Sequence, residues 1–310
     1  MRGLTLIPPD TRVPFIPLRR LFFALSAALV LGTLVLLVVR GLNYGVDFVG
    51  GVLIEVRTDG PADLATMRGK LNELGLGEVA LQEFGRAEEV LIRLQRQPGG
   101  EAAQQAAVDK VRAALGEGVS YRRTELVGPK VSEELFWDGV YAVIAAMAGI
   151  LIYVWFRFEW QFGLAGVLAL VHDVLVTVGV FSLLGLEFNL TIVAALLTIA
   201  GYSINDTVVI FDRVRENMRK YKTMGLPALL DRANNETLSR TVATGISTLL
   251  ALTALYVLGG EAMRGFTFAI LFGIVIGTYS SVCLAVPLLL YLDLRPAPAA
   301  AAEAPAEESS

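Results

Sequence analysis

In GYSINDTVVIFDR, residues 201–213, an asparagine and an aspartate follow directly on LTIVAALLTIA, a run as apolar as any membrane span. A carboxylate in hydrocarbon costs about 2.5–3.5 kcal/mol even on lenient insertion scales, so Asp206 must face protein or water. An acid placed there can load and release a proton. On a helix Thr198, Tyr202 and Asp206 recur at intervals of four, with Ser203 and Asn205 beside them. Leu197, Ile204, Val208 and Phe211 occupy the other side, which predicts a polar wall packed against other spans.

A counter-charge is available at the same depth. Asp206 lies five residues before the end of its span, roughly 7 Å inside, and Arg240 enters the next span from that side. Thr244 and Ser247 extend a small polar stripe from Arg240. The two charged residues are expected to meet, either as a proton-coupling pair or as a fixed structural ion pair. Competition between burial and a nearby cation would make protonation responsive to small rearrangements. His172 and Asp173, in LALVHDVLVT near the middle of another span, are a second candidate. They could extend a proton path, or serve separate hydrogen bonds, because adjacent helical residues point about 100° apart. Asp138, near the outer end of its span, is given no role.

These residues need a membrane-spanning frame, and the composition supplies it. The chain of 310 residues is 55% hydrophobic and only 18% charged, against about 25% charged in soluble domains. Six stretches are long enough to cross a bilayer core: Leu21–Val39, Leu135–Phe156, Phe162–Leu184, Leu190–Phe211, Thr241–Leu258 and Gly265–Leu292. Arg2, Arg12, Arg19 and Arg20 precede the first span. Arg213, Arg215, Arg219, Lys220, Lys222, Arg232 and Arg240 lie between the fourth and fifth. Both groups belong in the cytoplasm by the positive-inside rule, which places both termini there and the long insert outside. The first span is too long for a cleaved signal core and lacks a small-residue cleavage site, so it reads as an anchor. With one cysteine, Cys283, and one histidine, neither an internal disulfide nor a metal site can be built. No cofactor is expected beyond protons as coupling ion, and no nucleic-acid partner.

The organisation expected is therefore a cytoplasmic N-terminus (1–20), a first transmembrane helix (21–39), an extracytoplasmic α+β domain (40–134), a five-helix transmembrane region (135–292) and a disordered cytoplasmic tail (293–310) rich in Ala, Pro and Glu. Within the insert, GVLIEVRT, VALQEFG, EVLIRLQ and VSYRRTELV alternate as strands, and two amphipathic helices separate them in the order βαββαβ. That order suits a ferredoxin-like fold, one sheet with two helices on one face. It contains no His, Cys or phosphate-binding glycine turn, so a binding or force-bearing module is expected rather than an enzyme. The linker GLNYGVDFVGG, with Gly45, Asp47, Gly50 and Gly51, reads as a tight connection from anchor to first strand, with a mechanical hinge as the alternative.

GLNYGVDFVGG (41–51), LVHDV (170–174), GLEFNLT (185–191) and AALLTIAGYSINDTVVIFDRVREN (194–217) together resemble the SecF branch of the bacterial SecD–SecF protein-export family, within the resistance-nodulation-division superfamily. The resemblance runs from about residue 20 to 292. It implies an inner-membrane subunit that works with SecD beside the SecYEG channel and uses the proton-motive force to promote polypeptide translocation. YajC, YidC, the translocating polypeptide and membrane lipids are further implied partners. By motif, Asp206 matches the family's fourth-span aspartate and Arg240 the fifth-span arginine paired with it. A stand-alone proton-driven exporter of small molecules is the rival reading, though such chains generally carry two bundles. An intramembrane protease built on Ser203 and His172 is disfavoured, since the serine lacks the G-x-S-x-G setting.

Overall fold

The computed structural model describes residues 8, 11–77, 79–116, 118–292 and 294. The tail expected to be disordered, 293–310, lies outside the described residues except for Leu294, and most of the segment before residue 11 lies outside them too.

Among the described residues, six helices are long and apolar enough to cross a membrane. They are α1 (Arg19–Val39), α5 (Pro129–Arg157), α6 (Trp160–Leu184), α7 (Leu190–Lys220), α8 (Leu226–Leu258) and a last span that begins as α9 (Glu261–Ser280). That last span continues through a π-helical turn, Ser281–Ala285, into α10 (Val286–Leu288) and a 3₁₀ turn, Leu289–Tyr291. Pro287 explains the irregularity. It has no N–H, so the carbonyl one π turn earlier loses its helical donor. Asn234 Nδ2 of α8 supplies a replacement to the Val282 carbonyl at 3.1 Å.

The basic segment 212–240 is almost wholly helical. Helix α7 runs nine residues past Phe211, and α8 starts at Leu226. Heptad-like apolar residues account for this: Val214 on α7, and Leu229, Leu230 and Ala233 on α8, are buried in the bundle core. Pro227 fits in the first turn of α8, where its missing N–H would be unpaired anyway. The resulting hairpin carries the positive charges at the end of the bundle opposite the inserted domain.

Helix α7 is central, packing against α5, α6, α8 and α9. Close approach of α9 depends on glycines. A Cβ at Gly273 would overlap the Ile199 side chain, and one at Gly277 would sit 3.1 Å from Ser203 Cβ. Both glycines thus serve a contact inside this chain. We expect Gly273→Val to reduce the fraction of protein surviving heating in detergent micelles, by about 1–3 kcal/mol of overpacking. Ile199→Ala in the same chain should restore most of the loss.

The inserted domain has the expected order: β2 (Gly51–Thr58), α3 (Leu64–Asn72), β3 (Val79–Phe84), β4 (Arg86–Leu94), α4 (Gly100–Leu115) and β5 (Val119–Val127). Its sheet is antiparallel with strand order β3-β4-β2-β5, so each helix connects strands separated by a third. Asp63 caps α3, its Oδ1 accepting from the Ala65 and Thr66 N–H groups at 3.0 Å. Val52, Ile54 and Val56 of β2 alternate onto the face covered by Met67 and Leu71 of α3 and Ala107, Val108 and Val111 of α4. The opposite face carries Leu53 and Leu91 against Val46 of α2 (Val46–Val49), toward the bundle.

The linker is tight. Its β1 (Asn43–Tyr44) pairs in parallel with β6 (Glu187–Phe188), in the loop joining α6 to α7. Gly50 and Gly51 have φ of 72° and 129°, and a Cβ on Gly51 would lie 2.5 Å from the Leu94 carbonyl oxygen. Only glycine suits that passage into β2.

Candidate functional site: buried acids in the bundle

Two carboxyl groups are buried inside the bundle in different ways. Asp173, on α6, is fully inaccessible and saturated with partners. Its Oδ2 accepts from Ser203 Oγ of α7 at 2.6 Å and from Ser280 Oγ of α9 at 2.7 Å. Its Oδ1 shares a hydrogen bond with His172 Nδ1 at 3.0 Å. Three spans therefore meet on one side chain. Gly277 leaves the space for it, since a Cβ there would be 3.5 Å from Asp173 Oδ2. The neighbours His172 and Asp173 do not serve separate bonds, as the 100° offset suggested. Both side chains lean into the same junction, and the imidazole packs against the Tyr279 ring at 6.1 Å between centroids.

Asp206 lies three residues along α7 from Ser203 and is 4% exposed. Its Oδ2 is buried without a hydrogen-bond partner. Among the described residues Asp206 has no ion pair within the 4.0 Å limit for a salt bridge. Arg240, expected to meet it, is exposed on α8. It lines a cleft of about 330 Å³ with Val209, Asp212, Arg213, Glu216, Glu236 and Thr237. Helix α8, which carries Arg240, nevertheless packs directly against α7. Thr237 and Thr241 of α8 are buried, whereas Arg240 stays exposed in the cleft that residues of α7 and α8 line together.

The polar wall of α7 also divides. Ser203, Asp206 and Thr207 point into the bundle, where Thr207 Oγ1 and Ser281 Oγ are hydrogen-bonded at 2.8 Å. Thr198 and Asn205 are exposed on the outer surface of the bundle, beside Gly201. Tyr202 is half-buried, its hydroxyl 3.5 Å from Thr248 Oγ1. At 100° per residue, positions 198, 201 and 205 drift away from 203, 206 and 207, so one wall becomes two.

Ser280 and Ser281 are the site residues the sequence reading missed. The signal was present: four consecutive hydroxyl residues, Thr278 to Ser281, in a largely apolar span, directly after a glycine suited to close packing. Gly45, Asp47, Gly50 and Gly51 all lie at the domain end of the bundle, far along α7 from Asp206.

Six apolar helices around buried acids, with one α+β domain at one end, define a multi-pass helical membrane protein. Residues 107–295 match the family model of the SecD/SecF protein export membrane protein C-terminal region, and residues 35–62 match the SecD/SecF GG motif. Protein translocase subunit SecF of Magnetococcus marinus is 49% identical, over 91% of this chain and 93% of its own. That of Rhodobacter capsulatus is 45% identical, over 94% and 92%. Subunit SecDF of Brucella abortus is 43% identical over 95% of this chain, which spans 39% of the longer protein. The crystal structure of SecDF from Thermus thermophilus, a translocon-associated membrane protein, superposes with a TM-score of 0.83 at 37% identity, covering 94% of this chain and 40% of that one. The chain belongs to the SecF family of protein translocase subunits.

Proposed function

We propose that this chain uses the proton gradient, together with a SecD-type partner, to promote polypeptide translocation beside the SecYEG channel. One observation carries the reading: an acid buried in a membrane bundle, one oxygen unpartnered, on a helix packed against the one that presents Arg240. A buried charge without a partner is costly, whereas the protonated acid is tolerated. Loss of the proton would draw the Arg240 guanidinium from its cleft toward Asp206, and reprotonation would release it. Moving one charge across 100 mV is worth about 2.3 kcal/mol, enough in a few steps to shift one helix against another. The Asp173 junction holds α6, α7 and α9 together while α8 moves. His172 has an unpartnered Nε2 and remains a candidate for a relay from that junction.

The exposed polar strip Thr198, Gly201 and Asn205 supports a protein neighbour rather than lipid, because an amide in hydrocarbon needs partners. SecDF relatives are more than twice as long as this chain, which suits a SecD-like half on that strip. The basic hairpin supports a cytoplasmic location for that end and for both termini, with the α+β domain outside. YajC, YidC, lipids and the exported polypeptide are the remaining expected neighbours. The transport reading is also favoured over a protease of Ser203 and His172, because Ser203 donates to Asp173 rather than to His172.

The test uses inner-membrane vesicles depleted of this chain and then resupplied with it and its SecD-type partner. Resupply should restore the increase in secretory-protein export that an imposed proton gradient produces. Export that responds equally in depleted and resupplied vesicles would sink the reading. Gradient-driven efflux of a small solute by the chain alone would favour the exporter.

A further inference from the structure

At the domain end of the bundle, the loop leading into α7 and the first residue of α7 are tied to the inserted domain and its linker by Arg93, Asn43 and Asp47. Arg93 on β4 pairs with Leu53 of β2 across the sheet and so projects from the face toward the bundle. Its Nη2 reaches Glu187 Oε2 at 2.5 Å, and its Nη1 donates to Asn43 Oδ1 at 3.1 Å. Asn43 in turn donates to the Gly185 carbonyl at 3.0 Å. Asp47 Oδ2 accepts from the Leu190 N–H, the first of α7, at 2.9 Å. A helix start offers unpaired N–H groups and partial positive charge, so a carboxylate there is held by both. Gly45 closes the arrangement, because a Cβ on it would be 2.6 Å from Glu187 Oε1.

We propose that Arg93 and Asp47 are positioning residues that fasten the outer domain to α7, so that a displacement at Asp206 is delivered to the domain. This rests on the proton-driven reading above. The geometry favours transmission over a loose joint at this end. The seventeen residues from Leu190 to Asp206 form about 24 Å of continuous helix, stiff along its axis. The Arg93–Glu187 pair is only about one-fifth exposed on each side, and the strand pairing β1–β6 removes slack from the linker. Flexible connection would need an unpaired linker, and this one is hydrogen-bonded at residues 43, 45 and 47.

The test swaps charges in the full chain assembled with its SecD-type partner. Arg93→Glu and Glu187→Arg should each flatten the response of export to the proton gradient at least fivefold. The double exchange should recover it to within twofold, with protein amount and partner recovery equal in all three. A second pair uses the helix start: Asp47→Asn, which still accepts from the Leu190 N–H, should keep the response, and Asp47→Leu should lose it. Single charge variants with a wild-type response would overturn the proposal. So would a double exchange no better than the singles, or an Asp47→Leu chain that responds normally. Asp206→Asn, measured alongside, separates the two readings. If it flattens the response while Arg93→Glu does not, only the fastening fails; if Asp206→Asn has no effect, the proton reading itself fails.

Discussion

Replacing Asp206 with asparagine is expected to abolish at least nine-tenths of gradient-stimulated export while leaving the bundle at least as stable as before. Asparagine has nearly the same shape but is neutral at every pH, so it can neither lose a proton nor attract Arg240. Stability should not suffer, because Asp206 Oδ2 has no hydrogen bond to forfeit and a buried carboxyl without a partner is unfavourable when ionised. The loss would therefore separate function from folding in one variant. Arg240→Gln offers an internal check. Alone it should impair the gradient response several-fold, and in the Asp206→Asn background it should add little, since residues acting as a pair are not additive. Heat resistance in detergent micelles and vesicle export measured on the same preparations give both quantities. An Asp206→Asn chain that exports normally, present in normal amount, would exclude a coupling role for this acid.

Residues on one helix are readable from spacing, whereas residues that meet from different helices are not. The six spans and the βαββαβ order followed from apolar length and alternation, because those patterns are local. Asp206 was legible because a lone acid in an apolar run is anomalous by itself. The partners of Asp173 were not. Positions 173, 203 and 280 share no periodicity, and they converge only because Gly277 lets α9 approach α7. The helical hairpin between the fourth and fifth spans was hidden by its charge. Its exposed faces carry Arg213, Arg219 and Arg232 and dominate the composition, while a few buried residues such as Val214 and Leu230 hold it. The expected Asp206–Arg240 contact shows the limit of inferring distance from depth. Equal depth put both residues at one level, but Asp206 is buried in the bundle while Arg240 is exposed in the cleft between α7 and α8.

Asp173→Ala is expected to do the opposite of Asp206→Asn: it should cost the bundle about 2–4 kcal/mol and remove function only by removing folded protein. The substitution deprives Ser203, Ser280 and His172 of their shared acceptor in a fully inaccessible site. A buried polar group left unpaired costs about 1–3 kcal/mol, though hydrogen bonds between membrane helices average nearer 0.6 kcal/mol because the unfolded chain finds other partners. Three bonds on one hub, at the crossing of three spans, place the sum between those limits. Ser203→Ala and Ser280→Ala should each cost less, about 1 kcal/mol, since each removes one donor and leaves the carboxyl with other partners. Retained heat resistance in Asp173→Ala would mean that the junction is not structural. If Asp173→Asn, which keeps an acceptor oxygen, were folded in normal amount yet lost the gradient response, Asp173 would belong with Asp206 on the proton path. A junction that only holds helices predicts instead that the export response per folded molecule is unchanged in Asp173→Asn. The two acids, about one helical turn of α7 apart through Ser203, would then divide the work between a fixed pivot and a switching charge.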